Sequence, residues 1–122
     1  MILFCEDDQM IAETISEFLN ELGYQFKIVQ NVTNAQNTVE EVKPDLIFCD
    51  LLMHGEYAFE TIKKLKSNPG TNHIPIVAMT ALLDKNNLNK AKEAGIDQVI
   101  SKPFKLAELT KIIEKYIDGP KS

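Results

Sequence analysis

Short apolar runs alternating with amphipathic stretches constrain this chain of 122 residues more than any other feature. Ile2–Cys5 is apolar throughout, as expected of a strand covered on both faces. Ile11, Ile15, Phe18, Leu19 and Leu22 then recur at helical steps, and Gly23 supplies a C-terminal stop. Phe26–Val29 is more polar, which places it toward a sheet edge. A helix over residues 34–42 ends at Lys43-Pro44, because a residue before proline avoids the helical region. Leu46–Asp50 is an apolar strand that stops abruptly in an acid. A helix over 56–65, a loop at 67–70, a strand over 74–79 and a helix over 84–94 closed by Gly95 follow. Gln98–Ser101 is a short strand, and 106–117 is a helix with Leu106, Leu109, Ile112, Ile113 and Tyr116 on one stripe.

A strand–helix unit repeated five times implies an α/β, doubly wound fold with a five-stranded parallel sheet, right-handed crossovers and helices on both faces. The length suits one domain, read as residues 1–118, with 119–122 as a frayed tail. An apolar content of 44% is enough for a core without covalent staples. Cys5 and Cys49 lie inside apolar runs without metal-ligand spacing, so they are read as reduced core thiols rather than a disulfide.

In open parallel sheets, ligands bind beyond the carboxyl ends of the strands. Here those ends carry Glu6-Asp7-Asp8, Asp50, Thr80 and Ser101-Lys102-Pro103. If the first and third strands are neighbours, their acids crowd together, at a cost of several kcal/mol unless a cation lies between them. Oxygen ligands without imidazole or thiolate point to Mg²⁺. Asp8 is read instead as the cap of the first helix. Thr80 and Lys102, each unremarkable alone, gain meaning from sharing this edge. His54 and His73 are read as loop residues, and Lys63, Lys64 and Lys66 as a solvated helix face. The charge of −5, with 18 acidic residues against 13 lysines, leaves no basic footprint for nucleic acid. The sequence has no membrane-span or signal-like stretch, and is read as cytoplasmic.

ILFCEDD, DLIFCDLLM, PIVAMTA and SKPF occur in this order at four strand ends. Together they make the chain resemble the receiver domain of bacterial response regulators, over nearly its whole length. The resemblance implies the flavodoxin-like strand order 2-1-3-4-5. It implies phosphorelay signalling, with a sensor histidine kinase or histidine phosphotransfer protein donating a phosphoryl group to Asp50. It makes Thr80 and Lys102 the hydroxyl and ammonium that meet the phosphoryl oxygens. It assigns Mg²⁺ to Glu6, Asp7, Asp50 and the Leu52 carbonyl, with Asp7 the direct ligand of the first pair and Glu6 acting through water. Such a domain catalyses only its own phosphorylation and dephosphorylation. It switches a downstream protein partner through its fourth helix, fifth strand and fifth helix. Pro103 corresponds to a proline that follows a cis peptide.

Departures from the family pattern are also on view. His54 stands where proline is frequent and Ala58 where glycine is. Val99 replaces a switching aromatic, which implies either a weaker output or one carried by backbone shifts around the fourth helix. Leu52 and Leu82 replace polar side chains that guide hydrolytic water, which implies slow loss of the phosphoryl group. Three rivals fit less well. An aspartate-nucleophile phosphatase needs an acid at 52, a nucleotide or flavin domain needs a glycine- or hydroxyl-rich first loop, and a docking-only receiver needs no intact acids, Thr80 or Lys102.

Overall fold

A computed structural model describes residues 1–81 and 84–117. The chain runs β1 (Ile2–Cys5), α1 (Gln9–Leu22), β2 (Phe26–Val29), α2 (Val32–Val42), β3 (Leu46–Asp50), β4 (Leu52–Met53), β5 (Glu56–Tyr57) and α3 (Phe59–Ser67). It continues through β6 (Ile76–Thr80), α4 (Lys85–Ala94), β7 (Gln98–Ser101) and α5 (Leu106–Tyr116). Five parallel strands form one sheet in the order β2-β1-β3-β6-β7, and β4 and β5 form a separate antiparallel hairpin. With the hairpin set aside, this is the expected order 2-1-3-4-5. β2 lies at the edge, as its polar composition implied.

Both faces of the sheet are covered. Ile15 and Leu19 of α1 and Leu109, Ile112 and Ile113 of α5 pack on one face, against Phe4, Phe48 and Met79. Side chains from α2, α3 and α4 pack on the other, against Leu3, Ile47 and Ile76. Phe4 and Phe48 face each other across β1 and β3, with ring centroids 4.6 Å apart and planes within 3°. Cys5 and Cys49 are register partners, both buried and reduced. A bond involving Cys5, reinforced by burial, pushes the Cys49 thiol well up.

Local chemistry sets the boundaries. Asp8 caps α1 by accepting from the Ile11 amide at 3.1 Å, and Asn31 caps α2 through Asn34 at 2.8 Å, starting that helix at Val32 rather than 34. The β6 strand begins at Ile76 rather than 74, because the Ile74 amide closes a turn onto Thr71 and Pro75 has no amide to donate. The expected helix from residue 56 is corrected. Glu56–Tyr57 pairs with Leu52–Met53, and α3 starts at Phe59. The expectations for Leu82 and for the tail at 119–122, including a domain end at 118, lie outside the described residues.

Gly95 ends α4 with φ 99°, and a Cβ there would stand 2.9 Å from Cγ of Lys66. Lys66 cannot yield freely, since its ammonium binds Asp97 at 2.7 Å and the Ile74 carbonyl at 2.9 Å. Gly95→Ala is therefore expected to cost about 1–2 kcal/mol in denaturant unfolding. An unchanged unfolding midpoint would contradict this.

Candidate functional site

A parallel sheet brings all its carboxyl ends to one edge, and β1, β3, β6 and β7 are consecutive there. Glu6 follows β1, Asp50 ends β3, Thr80 ends β6 and Lys102 follows β7. Glu6 and Thr80 are fully buried, and Asp50 is 8% exposed. The Lys102 amide donates to the Thr80 carbonyl at 2.9 Å, which anchors the start of the loop after β7. From there its side chain spans to the middle of the sheet. Nζ donates to Asp50 Oδ2 at 2.8 Å and to Glu6 Oε1 at 2.5 Å. The other Asp50 oxygen accepts from the Leu52 amide at 3.2 Å, and the other Glu6 oxygen from the Asp8 amide at 3.2 Å. The Lys102–Pro103 peptide is cis.

Burial pushes the Glu6 carboxyl above its ordinary range, against the opposing pull of Lys102 and the Asp8 amide. For Lys102, burial works to lower the pKa. The bonds and charges of Asp50 and Glu6 together outweigh it, so the net shift is upward. A carboxylate pair is thus held at close quarters by one ammonium, with few other charges to screen it. Such a site favours a cation and accepts a polyanion only when both acids are neutralised.

The family model of the response regulator receiver domain matches residues 2–114. The chain belongs to the response regulator receiver domain family. The DNA-binding response regulator MtrA of Mycobacterium tuberculosis is 33% identical to it over 108 residues, covering 88% of this chain and 46% of MtrA. The chain therefore spans about half the length of the curated relatives it matches. Among solved structures, the receiver domain of a signal transduction histidine kinase from Syntrophus aciditrophicus superposes with a TM-score of 0.87 at 32% identity, covering 96% of this chain and 89% of that one. The receiver domain of the sensor histidine kinase PA1611 from Pseudomonas aeruginosa, described with a magnesium ion coordinated in its active-site cleft, gives 0.86 at 26% identity and covers 97% of each chain. Receiver domains belong to two-component phosphorelay signalling.

In this receiver domain the sequence-predicted residues converge. Carboxylate oxygens of Glu6, Asp7 and Asp50 all lie within 4.8 Å of one another. An all-oxygen set of this charge and spacing fits a hard divalent cation that retains several waters. Leu52 is adjacent through its amide on Asp50. Ala58 has φ −90°, a conformation open to any residue, so the frequent glycine is not required there. Val99 packs against the core on the α2–α3–α4 side of the sheet as an ordinary aliphatic residue.

Two features were missed. His54 is not remote from the acids, because its amide donates to Asp7 Oδ2 at 2.9 Å and its Nδ1 stands 3.9 Å from the same oxygen. An apolar groove lined by Met10, Ile11, Phe104 and Leu106 also opens beside Lys102, and Met10 is 79% exposed there. The sequence signals were present. His54-Gly55 suits a tight turn, and Met10 breaks the polar face at the start of α1.

Proposed function

We propose that residues 1–118 accept a phosphoryl group from a histidine kinase or histidine phosphotransfer protein onto Asp50, and relay its presence to a protein partner. The observation that carries this reading is the position of Asp50. It is an acid at the mouth of a parallel sheet, with one oxygen on the Leu52 amide and the other on the Lys102 ammonium. A carboxylate oxygen of Asp50 attacks phosphorus, the bond to the donor imidazole nitrogen breaks, and that nitrogen leaves with the electron pair. The product is an acyl phosphate. Lys102 pairs with the phosphoryl oxygens, and the Thr80 hydroxyl donates to one of them, displacing the segment that follows β6. Asp7, Asp50 and the Leu52 carbonyl would hold Mg²⁺ directly and Glu6 through water, and the ion would supply the charge neutralisation that lets carboxylate and phosphoryl group meet.

The groove beside Lys102 offers the donor protein an apolar contact next to the acceptor. Output is assigned to the face of α4, β7 and α5. With Val99 in place of an aromatic, it is carried by backbone displacement or transmitted weakly. Nucleic acid and membrane are not assigned to this domain. Its acidic balance favours neither, and no helix among the described residues is long and apolar enough to cross a membrane. The domain acts in the cytoplasm, and its only catalysis is of its own phosphorylation and dephosphorylation.

Incubation with a small phosphoryl donor tests this. Intact mass is expected to rise by one phosphoryl group with Mg²⁺ present and not with chelator, and no gain in either condition would reject the reading. Leu52 bears on how long the group stays. A half-buried leucine two residues beyond Asp50 excludes water and cannot orient it, so slow hydrolysis is expected. Leu52→Asn should shorten the phosphoryl lifetime several-fold, and equal decay of the two phosphoproteins would remove Leu52 from the account.

A further inference from the structure

Two amides of the β4–β5 hairpin point at the acids. That of Leu52 donates to Asp50 Oδ1 at 3.2 Å, and that of His54 to Asp7 Oδ2 at 2.9 Å. Leu52 pairs with Tyr57 and Met53 with Glu56, which leaves His54 and Gly55 as a two-residue turn with φ of 49° and 77°. Two left-handed residues in succession match the right-handed twist of the flanking strands. The hairpin is anchored at its base. Leu51 and Met53 are buried, the Ala58 amide donates to the Leu51 carbonyl at 2.9 Å, and Tyr57 stacks on Phe59 of α3 with ring centroids 5.6 Å apart. A tip held in this way can fix what it touches. Lys102 binds Glu6 and Asp50, both of them buried. Asp7, with its side chain 25% exposed, is held by the hairpin instead.

We propose that the backbone amide of His54 is a positioning group for Asp7, and that the left-handed turn at His54-Gly55, rather than any side chain of the hairpin, gives the site its full affinity for Mg²⁺. The inference rests on the reading of Glu6, Asp7 and Asp50 as the Mg²⁺ site, and adds to it the element that orients one of the three. An N–H bond to an ionised carboxylate is among the stronger hydrogen bonds. Held at Oδ2, the Asp7 carboxylate has its rotation fixed before an ion arrives, so binding does not bear the cost of ordering it. A proline at position 54 would have no amide hydrogen to give. At position 55 the constraint is conformational rather than steric, because a Cβ there would meet nothing within 4 Å while φ is 77°.

Calorimetric titration of the chelator-stripped protein with MgCl₂ tests the assignment in wild type, Gly55→Asn, Gly55→Pro and a protein whose Met53–His54 amide is replaced by an ester. Asparagine tolerates the left-handed backbone, so Gly55→Asn should keep Mg²⁺ affinity within about twofold of wild type. Proline cannot take a positive φ and also pushes the residue before it out of the turn, so Gly55→Pro turns the amide away from Asp7. The ester deletes the N–H and keeps both side chains, and it decides the matter should Gly55→Pro fail to fold. Both are expected to weaken Mg²⁺ on the order of 10-fold or more, as loss of a group orienting a metal ligand does. In metal-free protein, the His54 amide should exchange its hydrogen several-fold more slowly in wild type than in Asp7→Ala. Wild-type Mg²⁺ affinity in the ester overturns the positioning role and leaves the metal site standing. Gly55→Asn as weak as Gly55→Pro overturns it too, since the turn would be kept and the affinity lost. Equal His54 exchange in wild type and Asp7→Ala overturns the contact itself. Failure of wild type to bind Mg²⁺ overturns the metal site, and the inference with it.

Discussion

Lys102→Met is expected to slow phosphoryl uptake by Asp50 about 10²- to 10³-fold, the usual effect of removing one preorganised donor from developing charge. In metal-free protein the same change should cost about 2–4 kcal/mol of stability, somewhat below the full-burial figure because the ammonium keeps some contact with water. The physical reason is the pair of acids beneath it. Glu6 is fully buried and Asp50 nearly so, and Lys102 Nζ bonds to both. Without it, two carboxylates face one another, each still accepting from one amide, that of Asp8 or Leu52.

The pH dependence follows from the direction of each shift. Lys102 has a folded pKa above 10.5, so its contribution is fully present below 10.5 and is lost as pH climbs through the folded value. Glu6 is also raised, from 4.5, so the folded state gains by protonating it. That gain is full below 4.5 and lost as pH rises through the folded value. The stability gap between wild type and Lys102→Met should therefore be widest at neutral to mildly alkaline pH. It should narrow in acid, where Glu6 becomes neutral, and again in strong alkali, where wild type loses the ammonium. Added Mg²⁺ should stabilise the variant more than the wild type, because an ion can replace the missing positive charge. Denaturant unfolding across pH, with chelator or Mg²⁺, reads all of this. A gap that ignores pH would contradict the electrostatic account.

Phe48→Ala is the second large effect, expected at about 3–5 kcal/mol. Phe48 is fully buried on β3, two residues before Asp50, and its ring lies 4.6 Å from that of Phe4 on β1, two residues before Glu6. The stack clamps together the two strands whose ends carry the facing acids. Truncation removes buried apolar area and leaves a cavity between the central strands and the overlying α1 and α5, where collapse is least easy. Phe48→Leu, which refills most of the volume, should recover more than half of the loss. Similar unfolding midpoints for Phe48→Ala and wild type would show that the clamp contributes little.

The site was legible where chemistry followed from topology. Once alternation implied a parallel sheet, Glu6, Asp50, Thr80 and Lys102 had to share its carboxyl edge, and the register of β1 with β3 brings the acids together. Even the edge position of β2 showed in its polarity. The β4–β5 hairpin was not legible, because strands of two residues carry no periodicity, and Glu56 and Tyr57 read equally well as the first turn of a helix. His54 was read as a loop residue and does lie in a turn, but its contact with Asp7 was not legible. Its approach to Asp7 depends on a left-handed turn rather than on any spacing in the sequence. The Phe4–Phe48 stack needed strand register, which composition does not encode.

The central claim is that Asp50 itself carries the phosphoryl group. Intact-mass measurement of wild type and Asp50→Asn, after incubation with a small phosphoryl donor and Mg²⁺, tests it most directly. Wild type is expected to gain one phosphoryl group and the variant none. A variant that is still phosphorylated, or a folded wild type that gains nothing, would contradict the account.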